Sequence, residues 1–60
     1  MGSMNEADKI AALATTLLAG FMATATGAKL VMAAAEGYVD DAVELAVLIR
    51  RKAGERIADE

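Results

Sequence analysis

Residues Ile10–Ala28, IAALATTLLAGFMATATGA, carry no charged side chain over 19 positions. Nothing in the run alternates with period two, and alanine and leucine favour helix. Ile10, Leu13, Leu17 and Phe21 recur at spacings of three, four and four, one stripe of a helix. Leu18 and Met22 widen it on one side. The opposite side holds Ala12, Thr15, Thr16, Ala19, Ala23 and Thr26, all small and uncharged. A helix without charge around its circumference is normally covered on more than one side. This stretch therefore predicts an all-α fold in which helices meet closely.

Upstream, Met1-Gly2-Ser3-Met4 reads as a vector-derived scar, and residues 5–60 as a single domain. Ser3 and Glu6 have capping-box spacing, and Asn5 is an equally good N-cap. Asp8 falls in the first turn, where a negative charge suits the helix dipole. Downstream, Ala28–Glu36 has helical propensity, so a first helix is expected over residues 5–36, with Gly27 as the candidate interruption. Unbroken, it would be about 48 Å long. Gly37 is the expected stop. Asp41 and Glu44 have capping-box spacing and predict a second helix over residues 41–58. Its inner face would hold Val39, Ala42, Val43, Ala46, Ile49, Ala53 and Ile57, with Asp41, Glu44, Arg51, Lys52, Glu55 and Asp59 in water. The expectation is a helical hairpin turning near Gly37–Asp41 and assembling as a helical-bundle homo-oligomer.

Composition supports self-association. Of 60 residues 57% are apolar, yet 15 are alanine and only Phe21 and Tyr38 are aromatic. A single core in a chain this short rarely supplies more than about 3–5 kcal/mol. With no Cys and no His, disulfides and zinc sites are excluded as staples, and no Ser–His or Cys–His pair can form in the chain. The reading is therefore non-enzymatic, with no cofactor. Absent cysteine fits a cytoplasmic setting. A net charge of −3 argues against DNA, which requires a basic surface.

Several residues are candidates for contact. Ile10, Leu13, Leu17, Phe21, Val39, Ala46, Ile49 and Ala53 are expected to form the core and oligomer interface. Gly20, Ala23, Thr24 and Gly27 are two overlapping small-xxx-small pairs suited to close helix packing. Glu36, Asp40, Asp41 and Glu44 cluster near the expected turn and read as helix capping, with hard-cation binding as the alternative. Arg50, Arg51, Lys52 and Arg56 form a solvated face, with Arg51–Glu55 and Arg56–Glu60 as i,i+4 pairs. Arg50 borders the apolar stripe and would flank an interface. Ile10–Ala28 is also long enough to span a bilayer, at a mean hydropathy of roughly 1.6. In that alternative the basic cluster keeps the C-terminus cytoplasmic.

Thr15-x-Leu17-x-x-Gly20-Phe21-Met22-Ala23 resembles a segment of the phage anti-CBASS sponge proteins, small helical oligomers that sequester cyclic oligonucleotides. Thr24 and Thr26 stand where that family places a basic residue, and 37 residues follow Ala23, so no binding residue is carried over. The resemblance implies a ligand-sequestering alternative. A nucleotide-like molecule would then lie between subunits, with Lys29 and Arg50 as anion contacts and Tyr38 or Phe21 stacking on a base. The leading expectation is an interaction, regulatory or ligand-holding protein whose first partner is itself, with a further protein or small molecule unidentified.

Overall fold

The computed structural model describes residues 4–59, which form three helices: α1 (Glu6–Phe21), α2 (Ala25–Ala33) and α3 (Ala35–Asp59). The all-α class follows the periodicity. The boundaries do not follow the expected two helices. Ser3 lies outside the described residues, and Asn5 caps α1, its side chain accepting the Asp8 N–H at 2.8 Å.

The first helix ends at Phe21, well before Glu36. Met22, Ala23 and Thr24 form the break, and Thr24 adopts an extended backbone with its hydroxyl accepting the Gly27 N–H at 3.0 Å. Threonine at this position satisfies a free donor of the new helix, worth about 1 kcal/mol. Gly27, the expected interruption, sits instead in the first turn of α2 and is buried. A Cβ there would run into the carbonyl oxygen of Phe21 and lie 3.0 Å from the Thr24 hydroxyl. The glycine is what lets α2 start against the last turn of α1.

The second break is also displaced. Ala34 separates α2 from α3, its N–H donating to the Leu30 and Val31 carbonyls at 3.2 Å. Gly37, the expected stop, lies inside α3 with negative φ and open space around its Cα. Asp41 and Glu44 therefore lie within α3 and do not cap it, because the helix begins six residues before Asp41. Gly37 is the third residue of α3, in its first turn, where a glycine costs at most the interior value of about 1 kcal/mol and does not end the helix.

Three contacts align α1 with α3. Glu6 meets Arg50, Ala14 shares a buried cluster with Ala42 and Ala46, and Phe21 stacks on Tyr38. As numbers rise along α1 they fall along α3, so the two helices run antiparallel. Ala46 is fully buried, and Ile10, Leu13 and Leu18 pack against the alanine cluster. Val31 of α2 is the one larger apolar side chain among the buried residues described.

This core is thin. The chain exposes 4738 Å², against about 3,700 Å² for a compact protein of its mass. Its radius of gyration is 13.6 Å, where about 10 Å is usual for this length. The membrane candidate Ile10–Ala28 is cut by the Met22–Thr24 break. Among the described residues no helix is long and apolar enough to cross a membrane.

Candidate functional site

α3 contains 25 residues and extends about 37 Å. α1 begins opposite Arg50, so the last two and a half turns of α3 pass beyond it. Ala53 and Ile57 continue the inward stripe of Ala42 and Ala46 there, and both are exposed, Ile57 by 73%. Of the expected core and interface residues, Ala46 is buried, and Ile10, Leu13 and Leu17 are half-buried. Phe21, Val39, Ile49 and Ala53 remain exposed in the single chain. The cause is geometric: where α1 covers α3, alanine against alanine fills a narrow seam and leaves the flanks open.

Those flanks carry a run of exposed apolar side chains on α3. Leu45 is 52% exposed, and Val43, Val47, Leu48 and Ile49 are exposed beside it. An apolar groove of about 240 Å³ runs between α1 and α3, with Leu17, Phe21, Tyr38, Asp41 and Leu45 among its walls. A second depression, of about 380 Å³, adjoins it along α3, lined by Asp41, Glu44, Leu45 and Leu48. The two share Asp41 and Leu45 and make one continuous strip.

The small face of α1 is bare as well. Ala12, Thr15, Thr16 and Ala19 are exposed. The Thr15 and Thr16 hydroxyls donate to the carbonyls of Ala11 and Ala12 at 2.8 and 3.0 Å, which leaves methyl groups to define much of that face. Of the close-packing set, Gly27 alone makes a tight contact. Gly20 has open space around it, Ala23 lies exposed in the break, and Thr24 serves as a cap.

The expected anion contacts are not brought together within one chain. Lys29 is exposed on α2. Tyr38 and Arg50 lie on α3 twelve residues apart, about 18 Å along the axis. Arg50 is already engaged: its guanidinium forks onto Glu6, Nε donating to Oε2 at 2.5 Å and Nη2 to Oε1 at 2.9 Å. That hydrogen bonding, opposed by desolvation and aided by the Arg50 and Lys9 charges, holds the Glu6 carboxyl below its ordinary value. The same bond raises the Arg50 guanidinium. Tyr38 is occupied too, stacked on Phe21 with ring centroids 5.5 Å apart and planes 24° apart.

Glu36, Asp40, Asp41 and Glu44 are all exposed on α3. Among the described residues no group of three or more carboxylates is placed to hold a metal ion. In the basic segment the ion pair formed is Lys52–Glu55 at 3.8 Å. Glu60, expected to pair with Arg56, lies outside the described residues.

Comparison of the chain with protein-family models, with curated proteins and with solved structures gives no match.

Proposed function

We propose that this chain is a non-catalytic helical interaction protein that works as a homo-oligomer, the antiparallel α1–α3 pair of each subunit forming part of a larger bundle. The observation that carries the reading is the mismatch between burial and exposure. Among the described residues, three alanines and one valine are the buried apolar side chains, while Leu30, Met32, Leu45, Leu48, Ile49 and Ile57 are exposed. Exposed apolar surface of this extent is characteristic of association sites. The surplus over a compact monomer, about 1,000 Å² per chain, is enough for an interface of standard size between two copies.

A protein-binding role fits the site better than a ligand-holding one. A base entering the groove would first have to separate Phe21 from Tyr38, and a phosphate would have to displace Glu6 from Arg50. Sedimentation velocity with circular dichroism tests the reading. The expected result is an oligomer throughout the micromolar range, with helicity lost as dilution dissociates it. A fully helical 6.2 kDa monomer across that range would refute it.

A further inference from the structure

We infer that α3 pairs with α3 of a second copy, antiparallel about a two-fold axis between Leu45 and Leu48. The inference rests on the oligomeric reading above and specifies its interface.

Tyr38, Asp41, Leu45, Leu48 and Lys52 recur along α3 at spacings of three, four, three and four, the seam pattern of paired helices. The two depressions trace the part of this strip from Tyr38 to Leu48, and Leu45 at its centre is among the most exposed large apolar side chains. The ends of the seam differ in charge. Residues 36–44 of α3 hold Glu36, Asp40, Asp41 and Glu44 with no base, whereas residues 50–56 hold Arg50, Arg51, Lys52 and Arg56 with the single acid Glu55. Parallel pairing would oppose like charges at both ends. Antiparallel pairing opposes acid to base at both.

The register follows from the same residues. With Leu45 opposite the partner's Leu48, Asp41 falls opposite the partner's Lys52. Tyr38 then meets the partner's Glu55 and Arg56, where the cation can lie over its ring. Each contact occurs twice by symmetry, as a two-fold interface requires. The neighbouring face, Val39–Val43–Val47, offers a poorer match: pairing there would set Asp40 against the partner's Arg50, which Glu6 holds by a two-point fork, whereas Lys52 has only a 3.8 Å contact with Glu55 to give up. The free area also suffices. Two copies together carry about 2,000 Å² beyond what compact chains of this mass expose, and a stable interface buries about 1,200–2,000 Å² in total.

The full chain tests this by charge reversal and cross-linking. Asp41→Lys or Lys52→Asp alone should weaken dimerisation at least about tenfold, since each places two pairs of like charge across the seam. The double variant Asp41→Lys/Lys52→Asp should restore it. The chain has no cysteine, so Asp41→Cys mixed with Lys52→Cys should join through a short bismaleimide spanning about 8–10 Å between helices. Asp41→Cys alone should not, because its two copies would lie about 16 Å apart along the axis. A wild-type monomer would overturn both the oligomeric reading and this pairing. A wild-type oligomer that ignores both reversals, or that cross-links through Asp41→Cys alone, would overturn this pairing and leave self-association standing.

Discussion

Replacing Gly27 and Gly37 by alanine adds the same methyl group at two helical sites and should move stability in opposite directions. At Gly37 the new Cβ meets nothing within 4 Å and φ is already negative. The change then gains helix propensity alone, at most the interior value of about 0.8–1 kcal/mol. At Gly27 the same gain is set against a Cβ driven into the Phe21 carbonyl. Relieving that overlap requires α2 to move off α1, a strain of about 1–3 kcal/mol. A net loss of about 1 kcal/mol or more follows. One kcal/mol shifts Tm by about 4–8 °C in a domain of this size. Gly37→Ala should therefore melt above the wild type, by up to about 5 °C, and Gly27→Ala about 5 °C or more below it. Thermal unfolding followed by circular dichroism measures this, at one fixed protein concentration because association contributes to Tm. The opposite order would place the chain reversal at Gly37, where alanine would be strained in a left-handed turn, and would refute the three-helix arrangement.

The Glu6–Arg50 fork makes stability depend on acid. Glu6 titrates below its ordinary value in the folded chain, so its contribution is complete above that ordinary value and disappears as pH falls from there through the lowered one. Glu6→Gln should melt below the wild type near neutrality and coincide with it in strong acid; a gap in Tm that stays constant across the titration would exclude this role. Ala46 is fully buried where α1 crosses α3, and Ala46→Leu should cost about 1–3 kcal/mol through overpacking. Its Tm should fall by on the order of 10 °C, and an unchanged Tm would mean the alanine seam is not closely packed.

Helical character was legible because it rests on local signals: the spacing of Ile10, Leu13, Leu17 and Phe21, and the good helix formers around them. Asn5 as a cap was equally local. The breaks were harder because two signals of similar size competed. Glycine at 27 and 37 suggested interruption, but an interior glycine costs about as much as a threonine cap returns. Thr24, three residues before Gly27, decided the first break, and its cap spacing was present in the sequence. Ala34 carries no such mark, since three consecutive alanines offer no preference for where a helix should stop. Ala14 escaped notice for a related reason. A search for large apolar residues passes over Ala14, whose importance comes from how near it allows Ala42 and Ala46 to approach. Arg50 stands out in the sequence beside the stripe, but its partner Glu6 lies 44 residues away, beyond any periodicity.

The alanine seam between α1 and α3 also governs how firmly the two helices are indexed to each other. Burying alanine freezes no rotamers, so the contact forms at small entropic cost. A surface of methyl groups, however, has little relief, and a shift by one turn sets alanine against other small residues with modest loss of fit. Alignment must come from the two ends. The Glu6–Arg50 fork and the Phe21–Tyr38 stack stand about fifteen residues apart on α1, and neither tolerates a slip of one turn, about 5.4 Å. The polar pin and the aromatic pin thus act as detents on a smooth track. Loosening either would leave the helices in contact but free to choose their alignment.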